Sequence, residues 1–336
     1  MRVLVALGGN AMTSADGSAR PEDQIAAAEA AMASVADLVV DGVDVVITHG
    51  NGPQVGNLLV KNELAASVVP PVPLDWCGAQ TQGTLGFVLM NALEAALAAR
   101  GVRRRVAAVV TRTLVNVDDP GFFHPSKPVG RYLSREEAAV LIEHGQHFED
   151  RGERGWRRMV ASPEPLEILD AGVVATLADG GCLVIANGGG GIPVIRDDDG
   201  ALRGVEAVID KDLGAAVLAE ALSCDLLVIA TDVDHAVLGF GTLEARPVGT
   251  VALQQMRDFA AQGYFASGSM GPKVEAVCRF VAQSGHRAVI TSLVNIVAGV
   301  RGESGTIVVP DPREPRDPRP EYQPSHADAS RQETAP

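Results

Sequence analysis

Runs of Val, Ile, Leu and Ala with few polar interruptions recur at residues 3–7, 43–48, 106–111, 183–186, 226–230 and 288–291. Continuous rather than alternating apolar character marks a strand buried on both faces. Between these runs lie longer Ala-rich segments, at 24–41, 78–100, 213–221 and 273–284, with the spacing of apolar positions that predicts helices. Strands and helices alternating in this way build an α/β fold, a mainly parallel open sheet covered by helices on both faces in a three-layer αβα sandwich.

Four glycine-centred loops each follow an apolar run. They are Leu7-Gly8-Gly9-Asn10-Ala11, Thr48-His49-Gly50-Asn51-Gly52-Pro53, Asn187-Gly188-Gly189-Gly190-Gly191 and Ser267-Gly268-Ser269-Met270-Gly271-Pro272-Lys273. Ligands of open parallel sheets bind beyond the carboxyl ends of the strands, where such loops turn into helices. One glycine loop says little, but four that converge on a sheet edge predict a site of backbone N–H groups, and such a site suits an anion, most simply phosphate.

Two stretches break the alternation. From about 116 to 165 the chain is polar and proline-containing, with Phe122, Phe123, His124, Tyr132, Phe148 and Trp156 among Lys and Arg, which reads as a small inserted subdomain. Residues 310–336 are too rich in proline and charge to pack and read as a disordered tail. The expected organisation is one domain over 1–309 carrying the insertion. The apolar run at 3–7 stops at Gly8-Gly9, too short for a signal-peptide core, and no stretch of about 18 apolar residues predicts a membrane span. A cytoplasmic protein is the expectation.

Composition narrows the chemistry. A net charge of −14 over 336 residues speaks against a nucleic-acid binder, so a bound phosphate must meet locally placed cations. Cys77, Cys182, Cys224 and Cys278 are widely separated and form no metal-ligand spacing, so they read as buried thiols, with no metal site among protein ligands.

Phosphoryl transfer requires positioned donors and cations more than covalent help from the protein. Three lysines sit in special contexts: Lys127 between prolines, Lys211 in Asp210-Lys211-Asp212, and Lys273 after Gly271-Pro272. Each also has a structural reading: Lys127 as a rigid surface residue, Lys211 as half of a salt bridge with Asp210 or Asp212, and Lys273 as a solvated residue at a helix start. A lysine near the positive end of a helix is unfavourable unless an anion is present, which favours function at Lys273. Asp212 reads as the N-cap of the helix beginning at Leu213, or as the partner of two lysines. Asp232 and Asp234 end a strand, as ordinary turn residues or as groups that hold water around Mg²⁺ or touch a ribose. His49 is either a general base or a partner of its own loop, and phosphorylating an ionised oxygen needs no base. The chain has no GxxxxGK[ST], no protein-kinase motif set and no GxGxxG after the first run, so P-loop, protein-kinase and dinucleotide chemistry are disfavoured.

Taken together, Val5-Ala6-Leu7-Gly8-Gly9-Asn10-Ala11, His49-Gly50-Asn51-Gly52-Pro53-Gln54-Val55-Gly56, Cys77-Gly78-Ala79-Gln80-Thr81-Gln82-Gly83, Pro125-Ser126-Lys127-Pro128-Val129-Gly130, Trp156-Arg157-Arg158, Ala207-Val208-Ile209-Asp210-Lys211-Asp212 and Gly268-Ser269-Met270-Gly271-Pro272-Lys273-Val274-Glu275-Ala276 resemble the carbamate kinases of the amino-acid kinase fold. The blocks occur in the family's order over about 1–309. Ala6 stands where the wider superfamily usually has a lysine; carbamate kinases share that absence and use a lysine of the inserted subdomain, here Lys127. The segment from His235 to Gly241 departs from the family's usual Asn-Tyr-Gly near the nucleotide.

The resemblance implies reversible transfer of the γ-phosphoryl group of ATP to carbamate, giving ADP and carbamoyl phosphate, with Mg²⁺ on the nucleotide phosphates and the reaction commonly run toward ATP. It implies substrate contacts from Gly8, Gly9, Asn10, Gly50, Asn51 and Gly52, catalytic roles for Lys127, Lys211, Asp212 and Lys273, and nucleotide contacts from Asp232, Asp234, Met270, Gly271 and Lys273. It also implies a homodimer built by extending the sheet across two chains, while the Pro-flanked Lys127 suggests an insertion that acts as a lid, excluding water and bringing that lysine in. Another small-anion kinase of the same fold and a catalytically silent nucleotide- or carbamoyl-phosphate-binding regulator are the alternatives; retention of the three lysines and Asp212 speaks against the silent one.

Overall fold

The structure is a computed structural model that describes residues 1–8, 20–265 and 269–312. The six apolar runs form the strands Arg2–Leu7, Asp44–His49, Val106–Ala108, Leu183–Ile185, Leu226–Thr231 and Ala288–Ser292. They belong to one eight-stranded sheet in the order Thr250–Ala252, Thr306–Val309, Ala288–Ser292, Leu226–Thr231, Arg2–Leu7, Asp44–His49, Leu183–Ile185, Val106–Ala108. The six are mutually parallel. Thr306–Val309 joins Ala288–Ser292 antiparallel and pairs with Thr250–Ala252. These last two strands, of four and three residues, were not anticipated, because runs so short carry little periodic signal.

Strand Arg2–Leu7 shows why the runs are continuous. Val3, Val5 and Leu7 face a core made with helices Pro21–Val40, Leu74–Ala99 and Ile296–Arg301. Leu4 and Ala6 face a second core made with Ala171–Asp179, Lys211–Ala221, Leu253–Ala261 and Met270–Ser284. All five side chains are fully buried; for residues the size of Leu and Val this contributes about 1.5–3 kcal/mol each. The sheet between two helical layers is the expected αβα sandwich. The four helices read from the sequence are present, and the pattern missed Gly52–Ala65, Arg135–Glu143, Ala171–Asp179 and Leu253–Ala261 as well as the short Pro120–Phe123 and Ile296–Arg301.

A second sheet, Leu202–Gly204, Ile192–Arg196, Arg112–Leu114, Glu167–Ile168, stands beside the first. From its antiparallel pair Arg112–Leu114 and Glu167–Ile168 the chain runs out into a separate three-stranded antiparallel sheet, Lys127–Leu133, Trp156–Val160, His147–Asp150. Helix Arg135–Glu143 lies on that sheet, started by a capping box between Ser134 and Glu137. Leu133, Ala138 and Phe148, with Leu141 and Trp156, give this piece its own small core, and the Arg157 guanidinium lies 4.6 Å from the Tyr132 ring centre. The four cysteines are buried and free. No helix among the described residues is long and apolar enough to cross a membrane. The tail from residue 313 onward lies outside the described residues.

Candidate active site

The carboxyl ends of Arg2–Leu7, Asp44–His49 and Leu226–Thr231 open onto a cavity of about 410 Å³, which also takes in the starts of helices Gly52–Ala65, Lys211–Ala221 and Met270–Ser284. Gly8, Gly50, Asn51, Gly52, Lys127, Gly189, Asp210, Lys211, Asp212, Asp232 and Lys273 are all on its wall. Residues from seven separate stretches of sequence therefore meet in one space. Gly9 and Asn10 lie outside the described residues.

The glycine loops supply the wall in different ways. The Gly8 N–H donates to the Ala230 carbonyl at 2.8 Å and the Gly50 N–H to the Leu7 carbonyl at 3.0 Å. Neither N–H is a free donor for substrate, which corrects the expectation for these two; parallel pairing simply continues one residue past the strand ends. A Cβ on Gly8 would approach the Ala230 carbonyl oxygen to 3.1 Å, so Gly8 keeps this wall close and bare. Asn51 and Gly52 start a helix whose first turn has no side-chain cap, which leaves its N-terminal end to face the cavity.

The third loop, without a distinct duty on sequence grounds, is the packing centre of this corner. Asn187 is left-handed, at φ 55°, and fully buried. Its N–H donates to Thr111 Oγ1 at 2.8 Å and its carbonyl accepts from Thr48 Oγ1 at 2.8 Å. Gly188 packs on the His49 ring and Gly189, at φ 67°, on the Asn51 amide; a Cβ at Gly189 would lie 2.1 Å from Asn51 Nδ2. Gln82 is buried beneath, donating to the carbonyls of Gly188 at 3.0 Å and Thr111 at 3.2 Å and accepting from the Thr111 N–H at 2.8 Å. Thr81 Oγ1 accepts from Asn51 Nδ2 at 2.9 Å. The Cys77–Gly83 block thus holds two of the glycine loops in position, a role that the spacing of its polar residues did not disclose.

His49 is wholly enclosed, and Nδ1 makes a 3.0 Å contact with the Gly50 carbonyl, donating in the tautomer that protonates Nδ1. Burial pushes the imidazole down to about 4; the Gly50 carbonyl opposes this and the charge of Lys211 adds to it. The side chain is therefore neutral near pH 7 and partners its own loop.

The cationic centre is built around two carboxylates. Asp212, 3% exposed, accepts from Lys211 through Oδ1 and from Lys273 through Oδ2 at 3.2 Å. Lys273 also donates to the Ser269 carbonyl at 3.2 Å and is buried, so it is not a solvated helix-start residue. Burial pushes the Asp212 carboxyl up, but the two lysines outweigh it and hold the group below the usual carboxylate range. Lys127, first residue of strand Lys127–Leu133, reaches Asp210 Oδ2 at 2.5 Å. The N-cap of helix Lys211–Ala221 is Asp210, not Asp212: Asp210 Oδ1 accepts from the N–H groups of Asp212 at 2.9 Å and Leu213 at 3.3 Å, so the helix begins two residues earlier than the apolar pattern indicated.

Thr231, Asp232, Ser269 and Pro272 also line the cavity beside Lys273, whereas Met270 and Gly271 are not part of its lining. Gly271 has its own reason: a Cβ there would come within 2.9 Å of the Phe265 carbonyl oxygen. Asp234 is outside the cavity lining, exposed, and accepts from Asn295 Nδ2 at 2.8 Å, so it fixes the neighbouring turn rather than facing the pocket. Among the described residues no group of three His, Cys, Asp or Glu side chains is arranged to hold a metal ion.

The sequence model of the amino acid kinase family matches residues 1–292. A carbamate kinase of Thermococcus kodakarensis is 44% identical over 312 residues, spanning 92% of this chain and 99% of that protein. One of Trichomonas vaginalis is 41% identical over 314 residues, 93% of this chain and 100% of the relative. The solved structure of carbamate kinase from Giardia lamblia bound to AMP-PNP superposes with a TM-score of 0.88 at 39% identity, covering 92% of this chain and 98% of that one.

Proposed function

The chain belongs to the amino acid kinase family, and from that premise we propose that the cavity is the active site of a carbamate kinase. The enzyme is an ATP-dependent kinase that moves a phosphoryl group reversibly between ATP and carbamate, with ADP and carbamoyl phosphate as the other pair. The observation that carries the residue assignment is the shared carboxylate of Asp212, which holds Lys211 and Lys273 together on the cavity wall.

In the forward direction a carbamate oxygen forms a bond to the γ-phosphorus as the bond from that phosphorus to the bridging oxygen breaks, and the electron pair leaves with ADP. The attacking oxygen is already anionic and the leaving oxygen departs as an anion, so no proton has to move and no base is required. This suits a neutral His49 turned toward its own loop. What the transition state needs is fixed positive charge around the transferred oxygens. Lys211 and Lys273, pinned by Asp212, supply it from one side, and Lys127 supplies it from the inserted segment. Asn51 and Gly52, at the uncapped start of their helix, support the carbamate end. Thr231, Asp232, Ser269 and Pro272 border the nucleotide end.

Mg²⁺ would enter with the nucleotide, bound mainly by phosphate oxygens and approached by Asp232, where it would neutralise part of the polyphosphate charge. Asp210 and Asp212 are both committed to lysines, which fits an ion brought by substrate rather than one held by a protein cage. The segment from Asn116 to Pro165 acts as a lid that brings Lys127 to the phosphoryl group and excludes water. A homodimer formed at the outer strand Val106–Ala108 is supported by the apolar surface that Phe87 and Val110 expose beside it; a monomer mass by light scattering would refute this.

The deciding assay follows ATP formation from ADP and carbamoyl phosphate with Mg²⁺ present. Saturable turnover is expected, and its absence in the folded protein overturns the assignment.

A further inference from the structure

The two carboxylate oxygens of Asp210 serve different parts of the molecule. Oδ1 caps helix Lys211–Ala221, while Oδ2 takes the ammonium of Lys127, 83 residues away in the inserted segment. The Asp210 side chain is 11% exposed and the Lys127 side chain 34%. A cap that uses one oxygen fixes where the other points. The site offered to Lys127 is therefore set by the same helical turn that carries Lys211 and Asp212. Lys127 needs such a partner, because a half-exposed four-carbon stem otherwise spreads over many rotamers. Asp212 is occupied by Lys211 and Lys273, so the third ammonium of the cavity falls to Asp210.

On the carbamate kinase reading given above, we propose that Asp210 is a positioning residue for phosphoryl transfer, holding the lysine of the inserted segment in fixed relation to the Lys211–Asp212–Lys273 cluster. A lysine ammonium has three N–H donors. One remains on Asp210 and the other two are free to turn to phosphoryl oxygens, so Lys127 arrives at the substrate already oriented.

Asp210→Asn keeps an oxygen for the cap and removes the charge that holds Lys127. It is expected to lower kcat by about tenfold or more, since misplacing a catalytic cation weakens the transition state, with a smaller change in KM for carbamoyl phosphate. Added to Lys127→Ala it should cost less than about twofold further, because Asp210 acts through that lysine. Asp210→Ser, whose hydroxyl also caps, should behave as Asp210→Asn does, and melting curves of both show that the helix start survives. In the ligand-free protein, modification of Lys127 by trinitrobenzenesulfonate, read by peptide mass spectrometry, should quicken severalfold in Asp210→Asn. Turnover within about twofold of the unaltered enzyme, effects of the two substitutions that multiply, or unchanged labelling of Lys127 would each overturn the proposal. The labelling does not depend on the substrate, so it separates failure of this inference from failure of the carbamate kinase assignment.

Discussion

Replacing Asp212 with asparagine changes almost no volume and removes the one charge that two lysines share. At the 3.2 Å separation from Lys273, a unit charge pair in an effective dielectric of about 20 attracts by about 5 kcal/mol. Part of this is offset, because the amide no longer has to be stripped of a carboxylate's hydration and still accepts a hydrogen bond. Breaking a buried pair by removing one partner leaves a net cost of about 3 kcal/mol. Asp212 is buried and both lysine side chains are largely shielded, so solvent does little to relieve the two ammonium groups. If that energy is lost from the oriented transition state, kcat falls by about two orders of magnitude. If it is lost from the free enzyme, the melting temperature drops by about 5 °C for a domain of this size. Steady-state ATP formation from ADP and carbamoyl phosphate, together with calorimetry of the same preparation, measures both. Saturating carbamoyl phosphate should narrow the melting gap, since its anionic oxygens replace the missing charge. A variant with kcat within about fivefold of normal and an unchanged melting temperature would refute the shared-carboxylate reading.

His49 predicts a pH dependence of stability. Its folded pKa of about 4 lies below the ordinary 6.5, so the unfolded chain takes up the proton first, and stability falls as pH drops from about 6.5 toward about 4 and then levels; the loss is on the order of 3 kcal/mol. Asp212, held below the usual range, acts at lower pH: its contribution is present above the ordinary carboxylate value and is lost as pH falls through its folded value. Urea midpoints at several pH values should show the first slope, and His49→Asn should flatten it; an equal slope in the variant refutes the assignment. Gly189→Ala places a Cβ 2.1 Å from Asn51 Nδ2 at a backbone φ of +67°. It should break the Asn51–Thr81 bond, cost about 1–3 kcal/mol of stability and raise KM for carbamoyl phosphate severalfold, an idea abandoned if KM is unchanged. Burial pushes the Cys224 thiol up to about 12 and Cys278 to about 11, and all four cysteines are enclosed. Ellman's reagent at pH 8 should therefore find no fast thiol in the native protein and four after denaturation; rapid release from the folded state would contradict the packing.

The sheet was legible because its inner strands are buried on both faces, and that condition writes itself into sequence as uninterrupted apolar runs such as Val3–Leu7. Thr250–Ala252 and Thr306–Val309 escaped because runs of three or four residues carry no comparable signal. The three lysines stood out through their proline, glycine and aspartate neighbours. Asp210 did not, since an aspartate ahead of a helix is an ordinary cap, and only its second oxygen sets it apart. Gln82 and Thr81 read as polar residues of a helix, and nothing local tells that they secure loops 106 and 30 residues away.

The sequence by itself determined the αβα layering, the position of the glycine loops at strand ends and the identity of the scarce cations. Those properties depend on neighbours along the chain. The tertiary structure alone decided which groups are spent and which are paired. It consumed the N–H groups of Gly8 and Gly50 in backbone bonds, gave the helix cap to Asp210, turned Asp234 away from the pocket and set Asp212 between Lys211 and Lys273. These are pairings between residues that a linear pattern does not connect, and the folded packing of sheet, helices and insertion is what brings them within hydrogen-bonding distance.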